Sequence, residues 1–198
     1  IAEAAVKGWS VPMTGKAAYE EGVRQSFAYN NVSGYVSNYL TSQSYNRVGT
    51  SVSWDHTSEP PATVAMTYID GYTGAPGTHT FKYPSNTIYK GGSVKNDLLT
   101  KIITQKFIAQ TPWLPLETWN DHRRLGLPFF ENPAIENLLP DSPNLTLANY
   151  MTNSVKVFPQ RIKYPSGIAN NVPLGYKQAV EQLGGPDDVF TPLWWAKQ

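Results

Sequence analysis

Proline and glycine constrain this chain most, because they limit where helices can run. The 198 residues include 16 Pro and 15 Gly, and many lie between residues 45 and 92 or between 126 and 173. Proline breaks a helix interior, and glycine there costs about 1 kcal/mol relative to alanine. Helical periodicity survives outside these two stretches. We therefore predict a mainly α fold with long irregular loops, of the kind that is usually functional in compact domains.

The first 44 residues are typical of a helical hairpin. Thr14 is placed to cap a helix that carries Tyr19, Val23 and Phe27 on one face, at i, i+4 and i+8. Glycine inside a helix is unfavourable unless a neighbour packs closely there, so Gly22 predicts the close approach of the preceding helix, which ends near residue 8. Two such helices joined by a short turn indicate a tetratricopeptide-like pair.

Residues 45 to 94 form a loop-rich insertion with one small β-hairpin. Val64, Met66 and Tyr68 alternate with polar or small residues, and residues 78–83 alternate again. This pattern predicts two strands joined by a connection at roughly residues 71–77. Because Tyr68 continues the apolar alternation, we expect its side chain to be buried.

Helical periodicity returns in residues 95–198, with the segment from 126 to 173 expected to be irregular. Residues 95–110 predict a helix with Lys101 on its polar face, opposite an apolar stripe made of Leu98, Leu99, Ile102, Ile103 and Phe107. Pro115 suits the first turn of the next helix and Gly126 its carboxyl end. A last helix is predicted at roughly residues 174–183. The length permits a single unit.

Composition excludes several classes of function. The formal net charge is +1 and charged residues make up 16% of the chain, so no basic surface for nucleic acid is indicated. No apolar run reaches the roughly 18 to 20 residues of a membrane span. Cysteine is absent, and His56, His79 and His122 have no metal-ligand spacing. We predict no metal site and no cofactor.

One segment resembles an acid-base catalytic set. Glu117 and Asp121 are four residues apart on one predicted helix, with His122 beside them. The alternative, which we favour, is that the carboxylates form ion pairs with Arg123, Arg124 or a loop. No nucleophile elbow, phosphate loop or dinucleotide fingerprint occurs. We therefore predict no catalytic residues.

Four blocks of sequence carry a family resemblance. They lie at residues 2–9 with 18–22, at 103–128, at 158–165 and at 183–195. The most specific parts are Trp-Asn-Asp-x-Arg-Arg-x-Gly-x-Pro, Pro-x-Arg-x-x-Tyr-Pro and a terminal Trp-Trp. In this order the blocks resemble the carboxyl-terminal portion of SusD/RagB-like nutrient-uptake lipoproteins.

The resemblance implies a non-catalytic protein at the outer-membrane cell surface. It would bind an oligo- or polysaccharide and deliver it to a SusC-like TonB-dependent transporter. It would be attached through a lipid on an amino-terminal cysteine outside these residues. The alternatives are a helical-repeat scaffold for a protein partner and a glycoside hydrolase. The motif residues themselves are expected to be structural: Trp119, Arg123, Arg124, Arg161, Tyr164, Trp194 and Trp195.

Aromatic residues make up 13% of the chain, with 12 Tyr and 6 Trp. Such residues either pin loops to a core or form binding surfaces. Sugar rings pack their C–H faces on aromatic rings and need fixed polar groups for their hydroxyls. The 45–92 segment offers both, so we predict glycan-binding roles for Trp54, Tyr72 and Tyr83, and a structural role for Trp194 and Trp195 over the core.

Overall fold

The computed structural model describes residues 1–86, 94–130, 152–153 and 159–196. These residues are mostly helical, with a small two-stranded antiparallel sheet, which confirms the predicted fold class. The α-helices are α1 Ala2–Val6, α2 Gly15–Tyr29, α3 Val36–Leu40, α4 Leu98–Gln110, α5 Pro115–Leu125, α6 Ser166–Asn171 and α7 Pro173–Leu183. The strands are β1 Thr63–Ile69, β2 Pro76–Lys82, β3 Ser85–Asn86 and β4 Thr152–Asn153, and short 3-10 helices span Ser33–Tyr35 and Trp194–Ala196.

Helix α2 begins where its capping residue predicts. The Thr14 side chain accepts a hydrogen bond from the Ala17 amide at 3.2 Å, which satisfies one of the free amides at the helix start. Tyr19 and Val23 are buried in a cluster with Leu40, and Phe27 packs against that cluster. The predicted apolar face of α2 is therefore confirmed.

The close helix contact predicted at Gly22 is wrong. A β-carbon at Gly22 would meet no atom within 4 Å, because this side of α2 faces an open cleft. The tight position is Gly15, where a β-carbon would lie 3.1 Å from the Trp54 ring. Helix α1 packs against α2 and α4 instead of over Gly22.

Helix α4 lies in the middle of the described core. Asp97 caps its start by accepting from the Thr100 amide at 2.7 Å. Ile103 is buried with Leu125, Leu127 and Phe129 in the second apolar cluster. Lys101, expected on a polar face, is instead fully buried, at 0% exposure. The expectation failed because α4 is covered on two sides, by helices and by the 45–60 loop.

Helix α5 has the predicted ends. Pro115 is in its first turn, and Gly126 follows it with φ 71°, in the left-handed conformation that glycine adopts without steric penalty. Helix α7 ends in the same way at Gly184, with φ 66°. Between them, α6 lies inside the stretch expected to be irregular, so that expectation is wrong for residues 166–171. Residues 131–151 and 154–158 of that stretch lie outside the described residues.

The predicted hairpin is formed by β1 and β2, with Met66 opposite His79 and Tyr68 opposite Gly77. Tyr68 is 50% exposed, so its expected burial is wrong. Its ring lies across Gly77, where any β-carbon would fall within 3 Å of it. On this face of the hairpin, the Tyr68 ring therefore packs on the opposite strand rather than on a core. A second, parallel pairing joins β3 to β4.

Candidate functional site

Trp54 lies against helix α2. Its ring centroid is 5.3 Å from that of Tyr19 at a tilt of 48°, and its edge rests on Gly15. The side chain is partly buried, and the neighbouring Asp55 forms an ion pair with Lys16 at 2.5 Å. Trp54 therefore has one surface in the core and one facing solvent.

The loop that carries Trp54 has no regular secondary structure, and its backbone is held by a side chain of α2 and by the segment after α3. The Tyr19 hydroxyl donates to the Val52 carbonyl at 2.6 Å. Burial raises the pKa of this hydroxyl, so the tyrosine remains a donor. The Ser53 amide donates to the Ser42 carbonyl at 2.8 Å.

Lys101 anchors the same loop from α4. Its Nζ donates to the Ser51 carbonyl at 2.9 Å, to Ser51 Oγ at 2.7 Å and to Asn96 Oδ1 at 2.6 Å. Burial disfavours the charged ammonium and lowers the pKa of Lys101 to about 8. Ser51 and Asn96 are themselves buried. The lysine therefore fixes the loop by three hydrogen bonds from the core.

Asn96 extends this anchor along the loop. Its Nδ2 donates to the carbonyls of His56 at 2.9 Å and Ser58 at 2.7 Å. The Glu59 carboxylate in turn accepts from the amides of Lys95 and Asn96. The loop is thus tied to the start of α4 over its whole second half.

Tyr72 is at the tip of the β1–β2 hairpin and is 99% exposed. Asp70 Oδ1 orders this turn by accepting from the amides of Tyr72 at 3.0 Å and Thr73 at 2.6 Å, and from the Thr73 hydroxyl at 2.8 Å. These bonds hold the pKa of Asp70 below its usual value, the Thr73 amide contributing most. Tyr72 therefore presents a full aromatic ring on an ordered turn.

Tyr83 differs from the other two candidates. It is only 6% exposed and packs beside Gly49, and its burial raises the pKa of its hydroxyl. The three predicted residues thus have three environments: a ring against a helix, a ring in solvent and a ring in the core. Of the three, only Tyr83 is buried.

The motif arginines are occupied by structural contacts. The Arg123 guanidinium lies 4.1 Å from the Trp119 ring centroid and 5.2 Å from that of Trp195. It also donates to the Gln160 carbonyl at 2.9 Å. Stacking of this kind favours arginine over lysine, since the guanidinium is planar and weakly hydrated.

Arg124 joins α5 to α1 across the fold. Its Nη1 and Nη2 donate to the two Glu3 oxygens at 2.5 and 2.9 Å, and Nη2 also reaches Asp121 Oδ1 at 2.9 Å. These contacts lower the pKa of Glu3 to about 2, the Arg124 hydrogen bond being the main cause. Asp121 also accepts from Lys106 at 2.6 Å. The pairing that we favoured for Asp121 is present.

Arg161 is the buried arginine of the carboxyl-terminal part. It pairs with Asp187 at 2.5 Å and its guanidinium lies 4.6 Å from the Tyr164 ring centroid. Asp187 also accepts from the Tyr164 amide and from the Tyr176 hydroxyl, each at 3.2 Å. This cluster fastens the Tyr-Pro segment to the loop after α7.

Trp194 does not have the role expected of it. The side chain is 80% exposed, whereas Trp195 is partly buried over Arg123. The expectation that Trp194 covers the core is wrong, because its ring is exposed and only the Trp195 ring packs on the Arg123 guanidinium. Sequence reasoning treated the Trp-Trp pair as one unit.

The acid-base set is not assembled. His122 is buried, its Nδ1 donates to the Pro128 carbonyl at 3.1 Å, and burial lowers its pKa to about 4. Asp121 is engaged by two cations, and Glu117 is exposed. Within residues 1–86, 94–130, 152–153 and 159–196, no group of three His, Cys, Asp or Glu could hold a metal ion. No helix in these ranges is long and apolar enough to span a membrane.

Comparison with known proteins explains why these motifs occur together. The family model described as "SusD-like: Susd and RagB outer membrane lipoprotein" matches residues 1–196. The chain belongs to the SusD-like family. A search of curated proteins gives no match to this SusD-like chain.

Solved structures of SusD homologues have the same fold. One from Parabacteroides distasonis is 30% identical with a TM-score of 0.67, and 98% of this chain aligns with 30% of that one. A SusD-like protein from Bacteroides thetaiotaomicron is 29% identical with a TM-score of 0.58, aligning 100% of this chain with 35% of its own. A chitin-binding SusD homologue from Flavobacterium johnsoniae is 24% identical, with a TM-score of 0.60 and coverages of 100% and 34%. This SusD-like chain thus spans about a third of each of these proteins.

Proposed function

We propose that this chain is part of a non-catalytic glycan-binding protein that works at the outer-membrane surface. The observation that carries the proposal is the SusD-like family match over residues 1–196, since the family is one of outer-membrane lipoproteins. The chitin-binding homologue is a precedent for glycan binding on this fold.

Tyr72 is the leading candidate for contact with a sugar. A sugar ring needs an accessible aromatic face, and the Tyr72 ring is almost entirely free of protein contacts. The Asp70 turn limits the motion of its backbone, which reduces the entropy lost on binding. The neighbouring Thr73 hydroxyl is held inside the turn, where it donates to Asp70 and accepts from the Ala75 amide.

Trp54 is the second candidate, with a supporting role for Tyr83. The Trp54 ring keeps one exposed surface beside the polar Asp55 and Lys16 side chains. The buried Tyr83 ring has no face for a ligand, so in this proposal it holds the loop in position. The glycan site would then depend on the 45–83 segment.

The use of the ionisable groups supports the proposal that the protein is non-catalytic. A hydrolase needs an acid and a base facing the same scissile bond. Asp121 and His122 are instead held in internal contacts on different sides of α5. We further propose delivery of the glycan to a SusC-like TonB-dependent transporter, with attachment through a lipid on an amino-terminal cysteine; both come from the family resemblance.

A glycan array followed by calorimetry tests this function. We expect the protein to bind at least one oligo- or polysaccharide and to release no reducing ends from it. Tyr72→Ala should weaken binding at least about threefold with no change in melting temperature, and Trp54→Ala should weaken it with some loss of stability. Tyr29→Ala is the matched control, because Tyr29 is a 76% exposed tyrosine at the end of α2.

Three results would contradict the proposal. Failure to bind any glycan would favour a scaffold that binds only protein. Release of reducing ends that is lost in Glu117→Gln would favour a hydrolase. Normal binding by both Tyr72→Ala and Trp54→Ala would place the site elsewhere on the molecule.

A further inference from the structure

The β1–β2 hairpin has little contact with the rest of the described structure. Its strands pack chiefly on each other, and every residue of β1 except Val64 is exposed. A two-stranded hairpin without a core is only marginally stable in water, so side chains that cross between its strands are needed to order it. One such contact joins Tyr68 of β1 to Gly77 of β2, which lie directly opposite each other.

The Tyr68 ring covers the Gly77 backbone. A β-carbon at Gly77 would lie 2.7 Å from the ring Cζ and 2.9 Å from Cε1, closer than such atoms approach. Only glycine therefore allows the ring to lie in this position. Tyr68 is nevertheless 50% exposed, so its ring is supported on the side of Gly77 and open to solvent on the other.

A supported ring with one open face is suited to stacking against a sugar. The C–H face of a sugar packs on an aromatic face, and a side chain that is already ordered loses less conformational entropy on binding. Met66 lies on the same face of β1, two residues earlier, and is 39% exposed. Met66 and Tyr68 together form a short apolar strip beside the turn that carries Tyr72.

The residues around this strip favour a neutral ligand. Neither strand contains Asp or Glu, and the only Lys or Arg in them is Lys82, at the end of β2. An anionic polysaccharide would need several cations to bind its carboxylates or sulfates. The polar side chains of the hairpin are mostly exposed threonines, whose uncharged hydroxyls can donate to and accept from sugar hydroxyls: Thr63, Thr67, Thr78 and Thr80.

A protein partner fits this face less well. A stable protein interface buries about 800 Å² on each side. Among the described side chains on the Tyr68 face of the hairpin, only Met66 and Tyr68 are exposed large apolar residues. That surface is too small for the core of a protein interface, but it suffices for stacking a sugar ring.

The open sides of the hairpin indicate how a glycan would lie on it. Tyr72 follows Tyr68 by four residues, and an extended strand advances about 3.4 Å per residue. A ligand that contacts both rings therefore needs more than one sugar. Because β1 and the Tyr72 ring are exposed, the glycan chain has room to continue beyond either ring.

We propose that Tyr68, supported by Gly77, is a second stacking position beside Tyr72, and that the hairpin binds the interior of a neutral polysaccharide chain. This inference rests on the proposed glycan-binding function, to which it adds a residue, a charge class of ligand and a mode of binding.

Substitutions at Tyr68 separate its aromatic face from its support of the hairpin. The probe is the neutral hexasaccharide of glucose, mannose, xylose or N-acetylglucosamine that binds most tightly in calorimetry. Tyr68→Phe should retain affinity, whereas Tyr68→Leu, which still covers Gly77 but has no aromatic face, should weaken binding at least about threefold. Ile69→Ala is the matched control and should bind normally, because Ile69 is 75% exposed on the opposite face of the same strand.

Gly77→Ala tests the support itself. Its β-carbon would displace the Tyr68 ring, so we expect affinity to fall as it does in Tyr68→Leu. Nuclear magnetic resonance gives a check without any ligand, because protons above an aromatic ring resonate upfield. The Gly77 α-protons should be shifted upfield in the unchanged protein and not in Tyr68→Leu. Unshifted Gly77 protons in the unchanged protein would overturn the proposal.

Two comparisons test the class of ligand. Reducing the end sugar of the hexasaccharide to an alditol should leave its affinity unchanged, because the interior of the chain is bound. Raising the ionic strength should also leave the affinity unchanged, because a neutral ligand has no charge to screen. Lost affinity on end reduction, or tighter binding of a galacturonic acid hexasaccharide, would overturn the proposal.

Failure of this inference and failure of the proposed function give different results. Glycan binding that depends on Tyr72 or Trp54 but is unaffected by Tyr68→Leu and Gly77→Ala would overturn the role of Tyr68 alone. Absence of binding to every glycan would overturn the glycan-binding function and this proposal with it. If Tyr68→Leu leaves glycan affinity unchanged and instead dissociates a protein complex, the face binds protein and the proposal is wrong.

Discussion

Replacing Lys101 with methionine tests how the Trp54 loop is held. Methionine has a similar length and no hydrogen-bond donor. The buried Ser51 carbonyl, which accepts from Lys101 Nζ at 2.9 Å, loses that donor. An unsatisfied buried acceptor costs about 1 to 3 kcal/mol. The cost at Asn96 Oδ1 is smaller, because this oxygen still accepts from the Ser51 amide at 2.8 Å.

The pH dependence of the stability difference between the unchanged protein and Lys101→Met is the sharper result. Folding lowers the pKa of Lys101 from 10.5 to about 8, so between these pH values the unfolded chain binds more protons than the folded one. Stability contributed by Lys101 therefore rises with pH in this window, by up to 1.36 kcal/mol per pH unit and by roughly 3 kcal/mol in total. This contribution is present above pH 10.5 and is lost as the pH falls through 8.

Urea denaturation at pH 7, 8, 9, 10 and 10.5 measures the free energy of unfolding of the unchanged protein and of Lys101→Met. The quantity of interest is the difference between their free energies of unfolding, in which the titration of every shared group cancels. Lys177→Met, at an exposed position on α7, controls for the loss of one positive charge. A difference that stays flat or falls between pH 8 and 10.5 would refute the reasoning.

Two further predictions concern the Arg124 contacts. Arg124→Ala should lower the free energy of unfolding by about 1.5 to 3 kcal/mol, because it removes charged hydrogen bonds to Glu3 and Asp121. Glycan affinity should be unchanged well below the melting temperature. Unchanged stability with lost affinity would contradict this prediction. Glu3, with its pKa lowered from 4.5 to about 2, should contribute stability above pH 4.5 that is lost as the pH falls towards 2. Acid titration of stability should show this loss in the unchanged protein and a smaller one in Glu3→Gln; equal losses would show that Glu3 is not linked to folding.

Helix ends were predictable from sequence because their signals are local. Thr14 caps α2 through its own side chain, and Gly126 ends α5 because its backbone conformation is one that glycine accepts readily. Pro115 begins α5 because its missing amide is not needed in the first turn. Each of these depends on residues within one helical turn, so no knowledge of the tertiary structure was required.

Burial was predicted less well where distant segments decide it. Lys101 lies opposite an apolar stripe, yet the 45–60 loop covers that side of α4 as well. Tyr68 continues an apolar alternation, but the hairpin packs no core against that face. The Gly22 side of α2 is open for the same reason. In each case the periodicity shows which side chains share a face and leaves open what that face meets.

The candidate site also contains features that the sequence predicts and features that it does not. The structural role of Arg123, Arg124 and Arg161 could be anticipated from the chemistry of the guanidinium, which satisfies several acceptors at once. The accessibility of Trp54, Tyr72 and Tyr83 could not be anticipated, because the local sequence of a polar loop does not distinguish a buried aromatic side chain from an exposed one. Their partners, such as Tyr19 for Trp54, lie more than thirty residues away.

The hydrogen bonds of the 45–60 loop indicate how its binding surface can change without loss of the fold. Helix-side donors satisfy inward-facing carbonyls at Ser51, Val52, His56 and Ser58. These are backbone acceptors, which every residue type possesses. Trp54, between the anchors, contributes only its side chain to the surface. A replacement at Trp54 therefore alters what the loop presents and costs the Tyr19 contact, while the path of the backbone remains fixed by the four carbonyls.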